Sequence, residues 1–342
     1  MTKKISLCAG LIIVLLFYGN AFSQVQDSTE TRGEYPYVLP ILGKKAYAKG
    51  YNLPLPFSAS IGTIFNKQGI ILEDFSMAFT QGNEEPDFDR LQPISDLIVF
   101  GPSEGRINTL FARVEAWVLP FLSVGGYFGK VWGEQTVTLT APIEISSVTD
   151  IDGQYYGLNL VGVVPIGPVV LQADYSWAWT TNDRLDKPVL VNVAGARVIK
   201  RFVNKTNPER FWGVWAGAQS QKLDSETSGN IPLGEALGLD ETALNDLDQR
   251  WETYTMSPEF TELPRFRQEL IRRAYEEIIR PGLEGLAGTT VYYKFKKRLE
   301  FEWNMLIGGT YQFNRHWAAR VEYGFLQSKQ QLTFIATYNF GL

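Results

Sequence analysis

The chain has 342 residues, 45% of them hydrophobic, 13% aromatic and 20% charged, with a net charge of −5 and one histidine. Its mean hydropathy is −0.11, and beyond the leader no segment approaches the roughly 18 apolar residues a spanning helix needs, which excludes a helical membrane protein. The one cysteine, Cys8, lies in the leader. The mature chain therefore has no disulfide and no Cys-ligated metal, and its acidic balance gives no ground for a nucleic-acid partner.

Residues 1–23 read as a secretory signal peptide. Lys3 and Lys4 supply the positive start, CAGLIIVLLFY (8–18) the apolar core, and Ala21-Phe22-Ser23 the small-residue cut site, placing cleavage near Ser23. A retained anchor is the alternative, but the apolar run is short for it. Residues 24–52 are polar at first, then punctuated by Pro and Gly, and read as an N-terminal periplasmic segment.

From residue 53 onward the pattern is alternation, the signature of strands with one face to lipid and one to a lumen. In LFARVEAWV (110–118), Leu110, Ala112, Val114, Ala116 and Val118 oppose Arg113 and Glu115. In WAARVEYGF (317–325), Trp317, Ala319, Val321, Tyr323 and Phe325 oppose Arg320 and Glu322. In NMLIGGTYQF (304–313), Met305, Ile307, Tyr311 and Phe313 oppose Asn304, Thr310 and Gln312. In QLTFIATYNF (331–340), Leu332, Phe334, Ala336, Tyr338 and Phe340 share one face. A charge on the lipid face at mid-depth costs several kcal/mol. The charged face is therefore assigned to the lumen, with Arg113, Glu115, Gln172, Asp174, Asn304, Thr310, Arg320 and Glu322 as its lining. A soluble sandwich with a charged outer face is the competing reading.

Tight turns fall at Leu119-Pro120-Phe121, Pro165-Ile166-Gly167-Pro168, 203–209 and Asn314-Arg315-His316, and longer links lie between them. Strands are expected near 108–118, 121–135, 153–164, 168–179, 189–201, 210–222, 301–313, 317–327 and 330–341. Three more are expected at 56–66, 70–80 and 94–104. The expected fold is all-β: a transmembrane antiparallel up-and-down barrel of about twelve strands, with ten to fourteen as the range. Trp117, Phe121, Trp212, Phe313, Trp317 and Phe340 flank the short turns and form the expected interfacial girdle, although Trp117 shares parity with Arg113 and Glu115.

Residues 223–300 interrupt the alternation as one long, partly helical external insert. Leu263, Phe266, Leu270, Ala274 and Ile278 recur at helical spacing over 261–282, with Thr261 as cap, Pro264 in the first turn and Pro281-Gly282 as stop. Residues 233–247 offer a second, shorter helix. The apolar stripe can enter the lumen as a plug, cap the mouth, lie on the outer leaflet, or pack within its own loop.

With the signal peptide, the alternating strands and the terminal TFIATYNFGL, the chain resembles Gram-negative outer-membrane β-barrel proteins. YQFNRHWAARVEYGFL is similar in style to uncharacterised barrels of Bacteroidetes-like bacteria. The resemblance implies residence in the outer membrane, contact with its lipid and lipopolysaccharide, and recognition of the Tyr338 and Phe340 end by the barrel-insertion machinery. It departs in ending on Gly341-Leu342.

Catalytic chemistry has little to stand on. His316 falls in an expected periplasmic turn, away from any external Ser-His site, so an enzyme is not expected. Asp150-x-Asp152-Gly153 matches only part of a Ca²⁺ loop, and GLEGLAG (282–288) follows a helix rather than opening one, so neither a metal nor a cofactor is expected. The expected function is a passive channel or facilitator for small polar solutes. The alternative is a non-conducting structural or surface-binding outer-membrane protein that uses the 223–300 insert.

Overall fold

The computed structural model describes residues 34–81, 91–93, 99–141, 145–181, 187–224, 226–232, 241–273, 275–276, 280 and 289–342. The expected signal peptide, its cut site, Cys8, the 233–240 stretch and the Gly-rich 282–288 lie outside the described residues.

The strands are β1 (Phe57–Gln81), β2 (Gln92–Pro93), β3 (Val99–Phe100), β4 (Ser103–Leu119), β5 (Leu122–Ala141), β6 (Ile145–Ile166) and β7 (Val169–Thr181). They continue with β8 (Val189–Val203), β9 (Phe211–Asp224), β10 (Glu226–Pro232), β11 (Thr289–Leu299), β12 (Trp303–Gln312), β13 (Trp317–Leu326) and β14 (Lys329–Phe340). Four helices accompany them: α1 (Gly43–Ala48), α2 (Glu241–Thr255), α3 (Pro258–Thr261) and α4 (Arg265–Arg273).

Ten strands close a barrel. The order β4-β5-β6-β7-β8-β9-β12-β13-β14 is antiparallel throughout, and β1 pairs with β4 on one side and β14 on the other. Closure gives each wall strand a hydrogen-bonded neighbour on both sides over the shared register. β10 and β11 form a separate antiparallel pair, and β11 continues along β1 beyond the end of β14, from Ile70↔Leu299 to Gln81↔Thr289. These two strands stand outside the wall.

The expected count of about twelve wall strands is thus corrected to ten, the lower end of the expected range, with β10 and β11 outside the wall. Residues 56–104 supply one wall strand rather than three. β1 runs unbroken through both 56–66 and 70–80, absorbing a bulge between Glu73 and Ser76 where Asp74 takes a positive φ of 52°. The 94–104 stretch gives only the short bridge β3 and the start of β4 among the described residues.

The short connections gather at one end. Leu119–Leu122, Ile166–Val169 with Gly167 at φ 55°, 204–210 and 313–316 are tight. In the last, the Asn314 side chain accepts from the backbone N–H of His316 and Trp317, at 2.8 and 2.9 Å. Residues 34–56 are fastened to the same end. Ile41 N–H donates to Val118 O at 2.9 Å, Trp117 N–H to Pro56 O at 2.8 Å, and Arg315 to the Tyr37 hydroxyl at 3.3 Å.

Alternation sorts the two faces of the wall. Ile61, Phe65, Leu110, Val114, Val124, Phe128, Leu158, Val214, Ile307, Val321 and Phe334 are all exposed on the outside. Their inward neighbours include buried Ser58, Ser60, Thr109, Phe111, Asn159, Arg197, Trp215, Asn304, Glu322 and Thr333. The outer apolar band stops at Lys67, Arg106 and Lys130. These are tied by ion pairs to Glu104 (Lys67 and Arg106) and Asp152 (Lys130), each at 2.8 Å. Beyond them β1, β5 and β6 continue, and Ile70, Leu72 and Phe295 form an apolar cluster there, with Phe75, Phe100 and Val137 against it.

The expected single helix over 261–282 is also corrected at its start, while Ala274, Ile278 and the Pro281-Gly282 stop lie outside the described residues. It is broken into α3 and α4 at 262–264. Ser257, not Thr261, caps the first piece, accepting from Phe260 N–H at 3.3 Å, and Pro258 occupies the first turn. Pro264 lacks the N–H that a continuous helix would use, so α4 starts anew after it. The helices pack on one another. Trp251 stacks on Tyr275 at 4.1 Å and meets Phe260 edge-on at 6.3 Å, and Tyr275 donates to Asp248 at 2.9 Å.

Candidate functional site: the charged lumen

The most concentrated chemistry among the described residues lies inside the barrel. β13 presents Arg320 and Glu322 inward because its outward set, Trp317 to Phe325, is apolar or aromatic at every second residue. Glu322 is 4% exposed and accepts four bonds. They come from Arg197 Nε at 2.6 Å, Arg197 Nη2 at 2.9 Å, Trp215 Nε1 at 2.7 Å and Arg320 Nη2 at 2.9 Å. Arg197 also pairs with Asp174, which in turn accepts from Gln172 at 3.2 Å. The Arg320 guanidinium lies 4.6 Å from the Trp215 ring centroid. β7, β8, β9 and β13 thus meet in one network.

A second network joins the other wall. Arg113 pairs with Glu115 at 3.3 Å, and Glu115 accepts from Asn159 on β6 at 2.9 Å and, at 3.5 Å, from Ser58 on β1. The Tyr127 hydroxyl donates to Trp177 O at 3.1 Å, and Tyr127 sits 5.0 Å from Tyr155. Three arginines face three carboxylates across the two networks, so this level of the lumen is polar yet balanced in charge.

The eight residues expected on the lumen face occupy inward positions of their strands. Six of them form the two networks, Gln172 through Asp174. Thr310 stands apart near the short-turn end, donating to Ala319 O at 3.0 Å. Asn304 also stands apart, 1% exposed, with neither amide atom partnered in the protein. Alternation did not flag Arg197, Trp215, Asn159 or Lys329. Arg197 shares its face with Val191, Val193 and Ile199, which hides the polar signal, and Trp215, being aromatic, adds no polar signal to its face.

Of the girdle set, Phe121, Trp212, Phe313 and Trp317 are exposed on the outside near the short turns. Trp212 lies 4.4 Å from Tyr311, and Trp317 lies 5.0 Å from Tyr338. Phe340 is half-buried and stacks on Phe57 at 5.7 Å, where the chain's last strand closes on its first. Trp117 is half-buried on the face that carries Arg113 and Glu115. His316 sits in its turn, with Nδ1 2.8 Å from Asn339 O and its ring stacked on Tyr338.

No family model matches the chain, and no curated protein matches it. Among solved structures it is similar to the beta domain of the Bordetella autotransporter BrkA, with TM-score 0.35 and 6% identity, over 84% of this chain and 100% of that one. The translocator domain of the autotransporter NalP from Neisseria meningitidis gives TM-score 0.34 and 10% identity, over 86% and 92%. The Ralstonia pickettii toluene transporter TbuX gives 0.28 and 9%, over 84% and 90%. Superpositions this loose carry no activity from those proteins to this chain.

Proposed function

We propose that the chain is an outer-membrane β-barrel that passes small polar solutes. The membrane part of the reading rests on the exposed outer band, apolar over about ten residues of strand and closed by charged residues, a shape that suits lipid better than water. The observation that carries conduction is the state of the inward polar atoms. Arg113 Nε, Arg320 Nε, Asn159 Oδ1, both amide atoms of Asn304 and Lys329 Nζ are buried and have no partner in the protein. Such atoms cost about 1–3 kcal/mol each unless water or solute serves them. A lumen built this way suits a wetted path, with the opposed arginines and carboxylates orienting what passes. Outer-membrane lipid and lipopolysaccharide are its surroundings, the leader its export signal, and no catalytic role belongs to the proposal.

A second reading has its own support. Arg197 reaches Glu322 across β9 and β12, a brace that narrows the lumen. A braced and non-conducting barrel would leave α2–α4 and the β10–β11 pair as a surface module that binds a partner.

Single-channel recording in planar bilayers separates the two. The refolded chain is compared with one in which residues 226–299 are replaced by a tight turn. Discrete steps in the full-length protein are expected. Silence of both proteins, each shown to be folded by heat-modifiable migration, would overturn conduction and leave the surface-module reading.

A further inference from the structure

Just outside the charge-balanced level lies a row of inward polar side chains whose charge is not balanced. Strand register defines it. Gln219 on β9 pairs with Asn304 on β12. Asn304 is level with Leu326 on β13, one step beyond the Met305↔Phe325 pair, and Leu326 pairs with Lys329 on β14. Lys329 is level with Gln68 on β1, one step beyond Lys67↔Gln330. Gln219 and Gln68 are each 7% exposed, and Asn304 and Lys329 each 1%. Lys329 Nζ, Asn304 Nδ2 and Asn304 Oδ1 all lack a protein partner. Gly324 makes the room: a Cβ there would collide with the Asn304 amide and press on the Leu306 side chain at 3.2 Å.

Every cation of the inner networks has a carboxylate. Among the described residues Lys329 makes no ion pair; the inward acid nearest in register, Glu302, is exposed and acts on it only from beyond ion-pair distance. We propose that this row binds a small carboxylate. The ammonium of Lys329 and the amide N–H of Asn304 donate to its two oxygens, and Asn304 Oδ1 accepts from a hydroxyl of the solute or from water. A buried ammonium and an amide donor on the same level, one strand between them, favour an anion over a neutral solute, because a charge-assisted bond is about twice as strong as a neutral one. The inference gives the solute class of the channel proposed above and rests on that reading for transport, although binding itself does not require conduction.

The test is equilibrium dialysis of labelled succinate against the refolded full-length chain in detergent, with chloride at equal ionic strength as the competitor. Saturable binding is expected, at least tenfold weaker in Lys329→Met and in Asn304→Leu, and partly kept in Lys329→Arg. Asn304→Asp, which adds a repelling charge without changing size, is the second line should Lys329→Met fail to fold, and it too is expected to lose binding. In bilayers, the reversal potential of Lys329→Met should move away from anion preference. No saturable binding by the parent chain, or unchanged binding in Asn304→Leu and Asn304→Asp, overturns the site. Conductance without binding sinks the site and leaves the channel. Binding without conductance keeps the site and sinks the channel.

Discussion

Arg197 and Glu322, 125 residues apart in sequence, meet in a two-point bond of 2.6 and 2.9 Å inside the barrel. The strands between them, β9 and β12, contribute Trp215 and Gly308 to the same spot. Trp215 donates to Glu322, and a Cβ on Gly308 would fall 2.5 Å from the Trp215 ring. Charge pairing and steric allowance are therefore one unit, and neither can be altered without the other.

Glu322→Gln should be the most damaging single change in the network. It withdraws the charge that four donors share and leaves Arg320 without its acid, whereas Arg197→Met leaves Glu322 still paired to Arg320. Breaking a buried pair of this kind costs about 3–5 kcal/mol. Urea unfolding of the refolded barrel should rank Glu322→Gln below Arg197→Met, and both below the parent. The reverse order would mean that Asp174, once freed, is the costlier orphan.

Gly308→Val should act through Trp215. The added carbons displace the indole, break its bond to Glu322 and overpack the wall, a loss of about 1–3 kcal/mol. Tryptophan emission should shift to the red relative to the parent. Emission and stability that both stay unchanged would show that the ring has space to move.

Much of the barrel was legible because its wall follows one strict rule, an apolar outward face against a polar inward one. Wherever one strand face had to be apolar, as in 317–325 and 331–340, the alternation fixed both the strand and its inward residues. Legibility failed where that rule lapses. β1 beyond residue 69 leaves the apolar band and pairs with β11 instead of β14, so its pattern gave no sign that one strand continued. Arg197 was hidden for a related reason: lumen positions tolerate Val and Ile beside it. In the insert, the spacing of Leu263, Phe266 and Leu270 was helical on both sides of Pro264, and periodicity alone does not register a break that preserves phase.

The helical part of the insert should behave as its own packing unit. Trp251→Ala removes the partner of Tyr275 and Phe260, a loss in the range of about 3–5 kcal/mol for a buried tryptophan. Limited proteolysis should then cut within 241–276, while the barrel keeps its heat-modifiable migration. Tyr275→Phe, which loses only the bond to Asp248, should cost about 0.5–1.5 kcal/mol and leave cleavage nearly as in the parent. Loss of the barrel in Trp251→Ala would show that the insert helps hold the wall.

Lys297 offers a pH test of how β11 is held. It stands outside the ten-stranded wall, level with Leu72 on β1, and its side chain reaches Gln135 on β5, the amide oxygen accepting from the ammonium. Burial pushes its pKa down to about 8, from an ordinary lysine value of about 10.4. The sign follows from proton linkage. Between about pH 8 and 10.4 the released strand binds a proton that the docked strand does not, so docking strengthens as pH rises through that window and levels off above it. Lys297→Met removes the titrating group, so its docking should be flat with pH over the same range. Spin labels on β11 and β5 can report the docked fraction at pH 7.5 and 10. A parent protein whose docked fraction falls as pH rises would mean that the charged lysine is the form β11 holds, and that the Gln135 bond outweighs burial.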